Sequence, residues 1–277
     1  MRSEGTACPN CRDFSEYCEN IIVCRSCGLG KTTSELASQE DQDYISGGGS
    51  DAKTVERREY FARLHGKYLK NLRRGRALDI GCGCGQFVEV LLDAGWDAYG
   101  LDAYRGLSAS ERILKETVDS ADLGGSYDLI SMVHSLEHMT RPHVVLSKLR
   151  GMLRRDGILL IVVPNFSGTW SGICGASWDM LNTRHHAFHY TSAALVNLLH
   201  GAGFDLREEH GYSGNAPSPW QQRLALREFY ERGWGSLQPF RSLVFRANVL
   251  ARPILNAYQD FRKRGAEIIA LASMRTP

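Results

Sequence analysis

Residues 77–86 (ALDIGCGCGQ) place three glycines directly after a short apolar run. Glycine lets the backbone turn sharply and lets a ligand approach the amide groups closely, so Gly81, Gly83 and Gly85 form a candidate binding bend. Asp102 ends the next apolar run, where a carboxylate can accept both hydroxyls of a ribose. The spacing is GxGxG and not the GxGxxG of dinucleotide sites, which favours a ligand with a ribose and no phosphates.

A second group of reactive side chains follows a later apolar run. His134, Glu137 and His138 come after residues 127–133, at the carboxyl end of a predicted strand. Imidazole titrates near neutrality and is the natural base for a neutral hydroxyl or a carbon acid, and Glu137 could orient one ring. We favour His138 over His134 as the base. The alternative is that both rings only cap and pack the loop.

Five of the eight cysteines lie in the first 27 residues. Cys8, Cys11, Cys24 and Cys27 form two CxxC pairs, and each pair can supply two thiolates to one tetrahedral ion. The N-terminal residues lack the apolar run of a secretion signal, which argues against disulfides. Four soft ligands with no open position predict a structural zinc site. The alternative is four unligated thiols.

The elements that must position these groups alternate between strand and helix. We predict strands at 77–80, 98–101, 127–133, 158–163, 204–209 and 266–272, and helices at 55–74, 86–94, 108–115, 142–153 and 191–199. This alternation predicts an α/β fold with a Rossmann-like, parallel and doubly wound sheet. The continuous apolar run at 158–163 indicates a strand that is buried on both faces.

The pattern divides the chain into four predicted segments. They are a zinc ribbon (1–35), a linker and helix (36–75), a core (76–215), and a helical insertion with a final strand (216–277). Residues 221–264 mix arginines with aromatic residues. This segment is interpreted as a substrate lid or dimer contact; the alternatives are a membrane-surface helix and a nucleic-acid surface.

Composition excludes several classes of protein. The chain has 277 residues, of which 43% are hydrophobic and 23% charged, which is typical of a globular protein. It has no apolar run of about 18 residues, so no transmembrane helix is expected. The net charge of +2 requires no polyanionic partner. A cytoplasmic protein, monomeric or homodimeric, is expected.

The run LDIGCGCGQFVEVLLDAGWDAYGLD resembles the first motif, and the region after it, of class I S-adenosylmethionine (SAM) methyltransferases. Three further stretches are similar to the ubiquinone O-methyltransferase-like branch of that family: YDLISMVHSLEHMTRP, DGILLIVVPN and HHAFHYTSAALVNLLHGAGF. The resemblance covers about 76–210 and the last strand. It implies the class I fold and SAM as the methyl donor.

For the donor, the resemblance implies roles residue by residue. Gly81, Gly83 and Gly85 would line the methionine and ribose part of SAM. Asp79 would help to bind the methionine ammonium group, and Asp102 would hold the ribose hydroxyls.

The same resemblance implies further roles around the adenine, the methyl group and the acceptor. Asp119 is the candidate for the adenine amine, although the segment around it is shorter than usual, and His134 would lie beside the methyl group. A histidine at the position of His138 is a base in some members of the family. His186 matches the HxxxF-[ST] block of the family, where it would contact the acceptor or fix the loop.

The cysteine pairs resemble the N-terminal zinc ribbon of some sugar C-methyltransferases and other natural-product methyltransferases. Certain ribosomal RNA methyltransferases carry such a ribbon too. In the small-molecule enzymes the ribbon and its following helix pack over the active site.

These observations predict a SAM-dependent methyltransferase that acts on a small molecule, such as a sugar, a phenol or a natural-product intermediate. O-methylation is favoured, with C- or N-methylation left open, and no nucleic-acid partner is expected. One alternative is an RNA methyltransferase that grips RNA with the ribbon. The other is a non-catalytic SAM-binding or zinc-scaffold protein.

Overall fold

A computed structural model of the chain describes residues 13–36, 51–103, 110–121, 124–213, 254 and 256–276. The strands are, in chain order, β1 (Phe14–Cys18), β2 (Ile21–Cys24), β3 (Gly30–Thr32), β4 (Arg76–Ile80), β5 (Asp97–Leu101), β6 (Ile113–Leu114), β7 (Tyr127–Val133), β8 (Leu153–Pro164), β9 (Phe188–His189), β10 (Phe204–Tyr212) and β11 (Glu267–Met274). The α-helices are α1 (Asp51–Leu64), α2 (Gln86–Asp93), α3 (Pro142–Met152), α4 (Thr169–Cys174) and α5 (Ser192–Gly201).

Seven of these strands form one central sheet, in the order β10-β11-β8-β7-β4-β5-β6. The pairs β7-β8, β7-β4, β4-β5 and β5-β6 are parallel, whereas β11 is antiparallel to both of its neighbours. The α/β fold class is therefore confirmed, with one strand reversed. Its apolar sequence did not reveal that reversal, because an unbroken apolar run reports burial on both faces and not the direction of the strand.

Helices cover both faces of the central sheet. Along β8, Leu159, Ile161 and Val163 pack in the core that contains α3 and α5, whereas Leu160 and Val162 face the core that contains α2. Side chains of a strand alternate between its two faces, so one apolar strand supplies both layers. The central sheet is therefore packed by apolar side chains on both of its faces.

The helix termini follow local sequence signals. Pro142 occupies the first turn of α3, where a missing backbone N–H costs nothing. Thr191 caps α5, because its Oγ1 accepts a hydrogen bond of 3.1 Å from the Ala194 amide. Both helices were predicted within two residues of these bounds.

One predicted helix is wrong. Within 108–115, the described residues hold the short strand β6, which pairs in parallel with β5 at the edge of the sheet. Only two residues of β6 pair, so the segment is too short to show the period-two alternation that identifies a strand.

The N-terminal segment forms a second sheet, in the order β1-β2-β3-β9. Its fourth strand, β9, belongs to the loop between β8 and α5, so residues that the sequence assigns to a separate ribbon share a sheet with the core. Most of the predicted linker (36–54) and most of the predicted insertion (216–264) lie outside the described residues. Among the residues that are described, no helix combines the length and apolar character needed to cross a membrane.

Candidate active site

The glycine bend lies at the carboxyl end of β4. Gly81, Gly83 and Gly85 have φ angles of +73°, +54° and +84°, a left-handed backbone conformation that residues other than glycine rarely adopt. A Cβ at Gly81 would overlap Ser135, whereas a Cβ at Gly83 would meet nothing within 4 Å. The bend is therefore packed tightly on one side and open on the other, and the open side can accept a ligand.

Asp102, at the carboxyl end of β5, is joined to this bend. Its Oδ2 accepts a hydrogen bond of 2.8 Å from the Gly83 amide. Because adjacent parallel strands end at the same edge of the sheet, the carboxylate and the bend form one unit there. This is where the sequence predicted a ribose-binding carboxylate.

Asp79 lies within β4, two residues before Gly81. It is buried, and Ser131 Oγ donates a hydrogen bond of 2.6 Å to its Oδ1. Burial raises the pKa of Asp79 to about 7, and the Ser131 bond opposes this rise only in part. A bound cationic group would favour the ionised form, which fits the predicted ammonium-binding role.

His134 is held between two buried carboxylates. Its Nε2 lies 2.9 Å from Glu267 Oε1 and its Nδ1 lies 3.4 Å from Glu137 Oε1. Burial opposes the charge on the ring, but the two carboxylates outweigh it and raise the pKa of His134 to about 10. The ring is therefore an imidazolium at neutral pH, and an imidazolium has no lone pair that could accept a proton.

The backbone of His134 is itself unusual. Its φ of +53° places a residue other than glycine in the left-handed region, where such residues are uncommon and cluster at functional sites. The His134 amide donates to the Val162 carbonyl at 2.9 Å, which anchors this strained residue to the neighbouring strand β8.

His138 lies in the short 3-10 turn that follows, close to His186. The His138 Nδ1 is 3.0 Å from the His185 carbonyl, so Nδ1 carries a hydrogen and, in the neutral ring, Nε2 is the acceptor. The rings of His138 and His186 meet edge to face, with centroids 4.7 Å apart. Burial lowers the pKa of His186 to about 3, which keeps this ring neutral.

Three of these side chains could hold a cation. Glu137, His138 and His186 each offer one ligand atom, and these atoms lie within 4.8 Å of one another. One carboxylate and two imidazoles suit divalent transition metals. The His134 imidazolium already pairs with Glu137, however, so a metal ion would meet a fixed positive charge beside its carboxylate ligand.

Two further predicted sites are described only in part. Asp119 is 56% exposed and its carboxylate lies 3.1 Å from Arg141 Nη2. Cys24 and Cys27 are both buried at a tight turn, in which the Gly28 amide donates to the Cys24 carbonyl at 2.8 Å. Cys8 and Cys11 lie outside the described residues. The adenine role and the metal site stay predictions.

Sequence reasoning missed Glu267 and Tyr60. Glu267 is fully buried at the start of β11, and Tyr60 of α1 donates a hydrogen bond of 2.9 Å to its Oε2. A signal for Glu267 was present, because it is an acid inside the apolar run AEIIALA, and buried acids are rare unless paired. Tyr60 had no such signal.

Comparison with known proteins extends this description. A family model described as a methyltransferase domain matches residues 54–209, which is more than half of the chain. The chain belongs to the methyltransferase-domain family. This membership confirms the predicted class of enzyme, a SAM-dependent methyltransferase.

Individual relatives are distant. The chain is 27% identical over 164 residues to a ubiquinone biosynthesis O-methyltransferase of Rhodopseudomonas palustris, a match that covers 52% of this chain and 64% of the relative. A ubiquinone biosynthesis O-methyltransferase of Cereibacter sphaeroides is also 27% identical, and the match covers 55% of this chain and 69% of that relative. The match thus spans about two thirds of these relatives.

Among solved structures, the Burkholderia thailandensis 1,6-didemethyltoxoflavin-N1-methyltransferase, with 1,6-didemethyltoxoflavin and S-adenosylhomocysteine bound, has a TM-score of 0.53. The likeness covers 95% of this chain and all of that one at 14% identity, so it supports the fold.

Proposed function

We propose that this protein transfers the methyl group of SAM to a hydroxyl group of a small molecule, with His138 as the base. The observation that carries the proposal is the open glycine bend with Asp102 bonded across it, at the same sheet edge as the histidines that follow β7. One group of residues can hold a donor while the other handles an acceptor proton.

SAM supplies an electrophilic methyl group on a sulfonium. In the proposal, Asp102 holds the ribose hydroxyls and the open side of the bend at Gly83 accommodates the chain of the donor. Asp79 faces the ammonium group, whose positive charge offsets the cost of a buried carboxylate. Much of the rate enhancement then comes from holding the acceptor atom in line with the methyl carbon.

The acceptor proton passes to Nε2 of His138. Nδ1–H of the same ring donates to the His185 carbonyl, which fixes the tautomer that leaves Nε2 ready to accept. The Glu137 carboxylate, ionised beside it, stabilises the imidazolium that forms. The pKa of His134 is raised to about 10, so this ring is not the base in the proposal. Its role there is to pair its positive charge with the carboxylates of Glu137 and Glu267.

A small-molecule acceptor and O-methylation are supported by the relatives that the chain matches. The matched relatives in Rhodopseudomonas and Cereibacter are ubiquinone biosynthesis O-methyltransferases. The cytoplasmic location and the monomeric or homodimeric state stay predictions.

A structural zinc ion bound by Cys8, Cys11, Cys24 and Cys27 belongs to the same proposal. It is supported by the tight turn at Cys24–Gly28, where Gly28 has a φ of +71°. Zinc content of the purified chain, with Cys24→Ser as the comparison, tests it. About one zinc per chain, lost in the variant, supports the assignment, and a metal-free folded chain contradicts it.

Titration calorimetry with S-adenosylhomocysteine tests donor binding, and transfer of label from SAM to a panel of phenols and sugars tests catalysis. Asp102→Asn is expected to weaken S-adenosylhomocysteine binding by roughly 10- to 100-fold, because a charge-assisted hydrogen bond is lost. Asp97→Asn, at the other end of β5, is the matched control and should bind normally. No heat with the folded wild-type chain would refute the proposal.

A further inference from the structure

The N-terminal sheet reaches the histidine segment through a single strand. β3 pairs with β9 in antiparallel register, with Gly30 opposite His189. Lys31 lies opposite Phe188, and the contact continues to Thr32, whose amide donates to the Ala187 carbonyl at 3.1 Å. A Cβ at Gly30 would press on His189 and Phe166, so the two segments are in close contact.

The side chain of Thr32 makes two polar contacts on this segment. Its Oγ1 donates to the His186 carbonyl at 2.6 Å and lies 3.0 Å from Nε2 of His189. A hydroxyl has one hydrogen, which is used on the carbonyl, so His189 must donate through Nε2–H. Thr32 is buried, and burial lowers the pKa of His189 to about 4, which favours a neutral His189 ring with its hydrogen on Nε2.

The opposite side of the same segment holds the proposed base. The His185 carbonyl accepts the proton on Nδ1 of His138, and the Ala187 amide donates to the Glu137 carbonyl at 2.8 Å. The ring of His186 packs edge to face on that of His138. Residues 185–189 therefore connect Thr32, on one side, with the orientation of His138, on the other.

We propose that Thr32 is a positioning residue for catalysis, through which the N-terminal sheet fixes the segment that orients His138. The inference rests on the proposed function, since it assumes that His138 takes the acceptor proton. Small displacements of a catalytic group cost rate steeply, because the reacting atoms must be aligned within a fraction of an ångström. The N-terminal sheet then affects the rate of methyl transfer through the position of His138.

Thr32→Val tests this inference, because valine keeps the shape of threonine and removes the hydroxyl. We expect kcat to fall by roughly 10- to 100-fold while the affinity for S-adenosylhomocysteine is unchanged, since only the acceptor side is displaced. Thr32→Ser, which keeps the hydroxyl, should restore most of the rate. Thr33→Val, at the exposed neighbouring threonine, is the matched control and should match wild type.

A double-mutant cycle with His138→Gln separates positioning from a general structural effect. If Thr32 acts through His138, Thr32→Val has no further effect on the residual rate of His138→Gln. An equal loss in both backgrounds would overturn the inference, and so would a wild-type kcat in Thr32→Val. If Thr32→Val does not fold, the same cycle with Thr32→Ala decides; wild-type protein that fails to bind S-adenosylhomocysteine instead refutes the proposed function.

Discussion

In the proposed site, the donor side comes from one short stretch of chain, whereas the acceptor side is assembled from five. Asp79, the glycine bend and Asp102 follow one another along β4, α2 and β5. The acceptor side combines Thr32, Tyr60, residues 134–138, residues 185–189 and Glu267. The donor side therefore depends on local backbone geometry, and the acceptor side depends on packing between segments that are distant in sequence.

The sharpest test of this comparison is His138→Gln. Loss of a general base is expected to lower kcat by about 10²- to 10⁴-fold, with the affinity for S-adenosylhomocysteine unchanged. His143→Gln, an exposed histidine at the start of α3, is the control and should keep full activity. A wild-type kcat in His138→Gln would show that His138 is not the base, and the acceptor side would then have a binding role only.

Glu267→Gln tests whether distant packing holds the acceptor side together. The substitution leaves His134 with one carboxylate partner, so we expect the free energy of unfolding at pH 6.5 to fall by about 3 kcal/mol. Urea unfolding of the variant and of wild type measures this difference.

The pH dependence of that difference has a defined direction. The pKa of His134 is raised to about 10 in the folded chain, so its ion pairs contribute fully below the ordinary value near 6.5 and are lost as pH rises through 10. The gap between wild type and Glu267→Gln should therefore narrow from pH 6.5 to pH 9.5. A constant gap would show that the ion pair does not stabilise the fold.

Gly81→Ala and Gly83→Ala test the local character of the donor side. Both place a side chain at positive φ, which costs about 1–3 kcal/mol of stability. Only the alanine at 81 also overlaps Ser135, so it should be the less stable variant by thermal unfolding. Gly83→Ala should instead lose more of its affinity for S-adenosylhomocysteine, because the methyl group enters the open space. Equal effects of the two substitutions would contradict the described bend.

The strands and helices around the donor side could be predicted closely from the sequence. The strand 77–80, the helix 86–94 and the strand 98–101 were each predicted within one residue of their observed bounds. Their signals are local, because periodicity and glycine spacing are properties of a few neighbouring residues. The prediction for 108–115 was wrong because the two-residue strand β6 depends on pairing with β5. It is too short to show an alternation of apolar and polar residues.

For the acceptor side the sequence supplied residue types but not partners. His134, Glu137 and His138 were selected as one group and His186 from a later segment, and the structure brings all four together around Glu137. The sequence favoured His138 over His134 as the base but did not show the partners of either ring. The partner of His134 is Glu267, which is 133 residues away in the sequence and reaches it because β11 lies next to β8.

The sequence by itself determined the α/β class, the glycine bend and the carboxylate that faces it, since each follows from the conformational freedom of glycine or from the periodicity of side chains. Tertiary structure decided which carboxylates surround His134 and which backbone carbonyl orients His138. Protonation depends on the charges and the burial around a ring, and here those are set by strands and sheets that meet only in the folded chain.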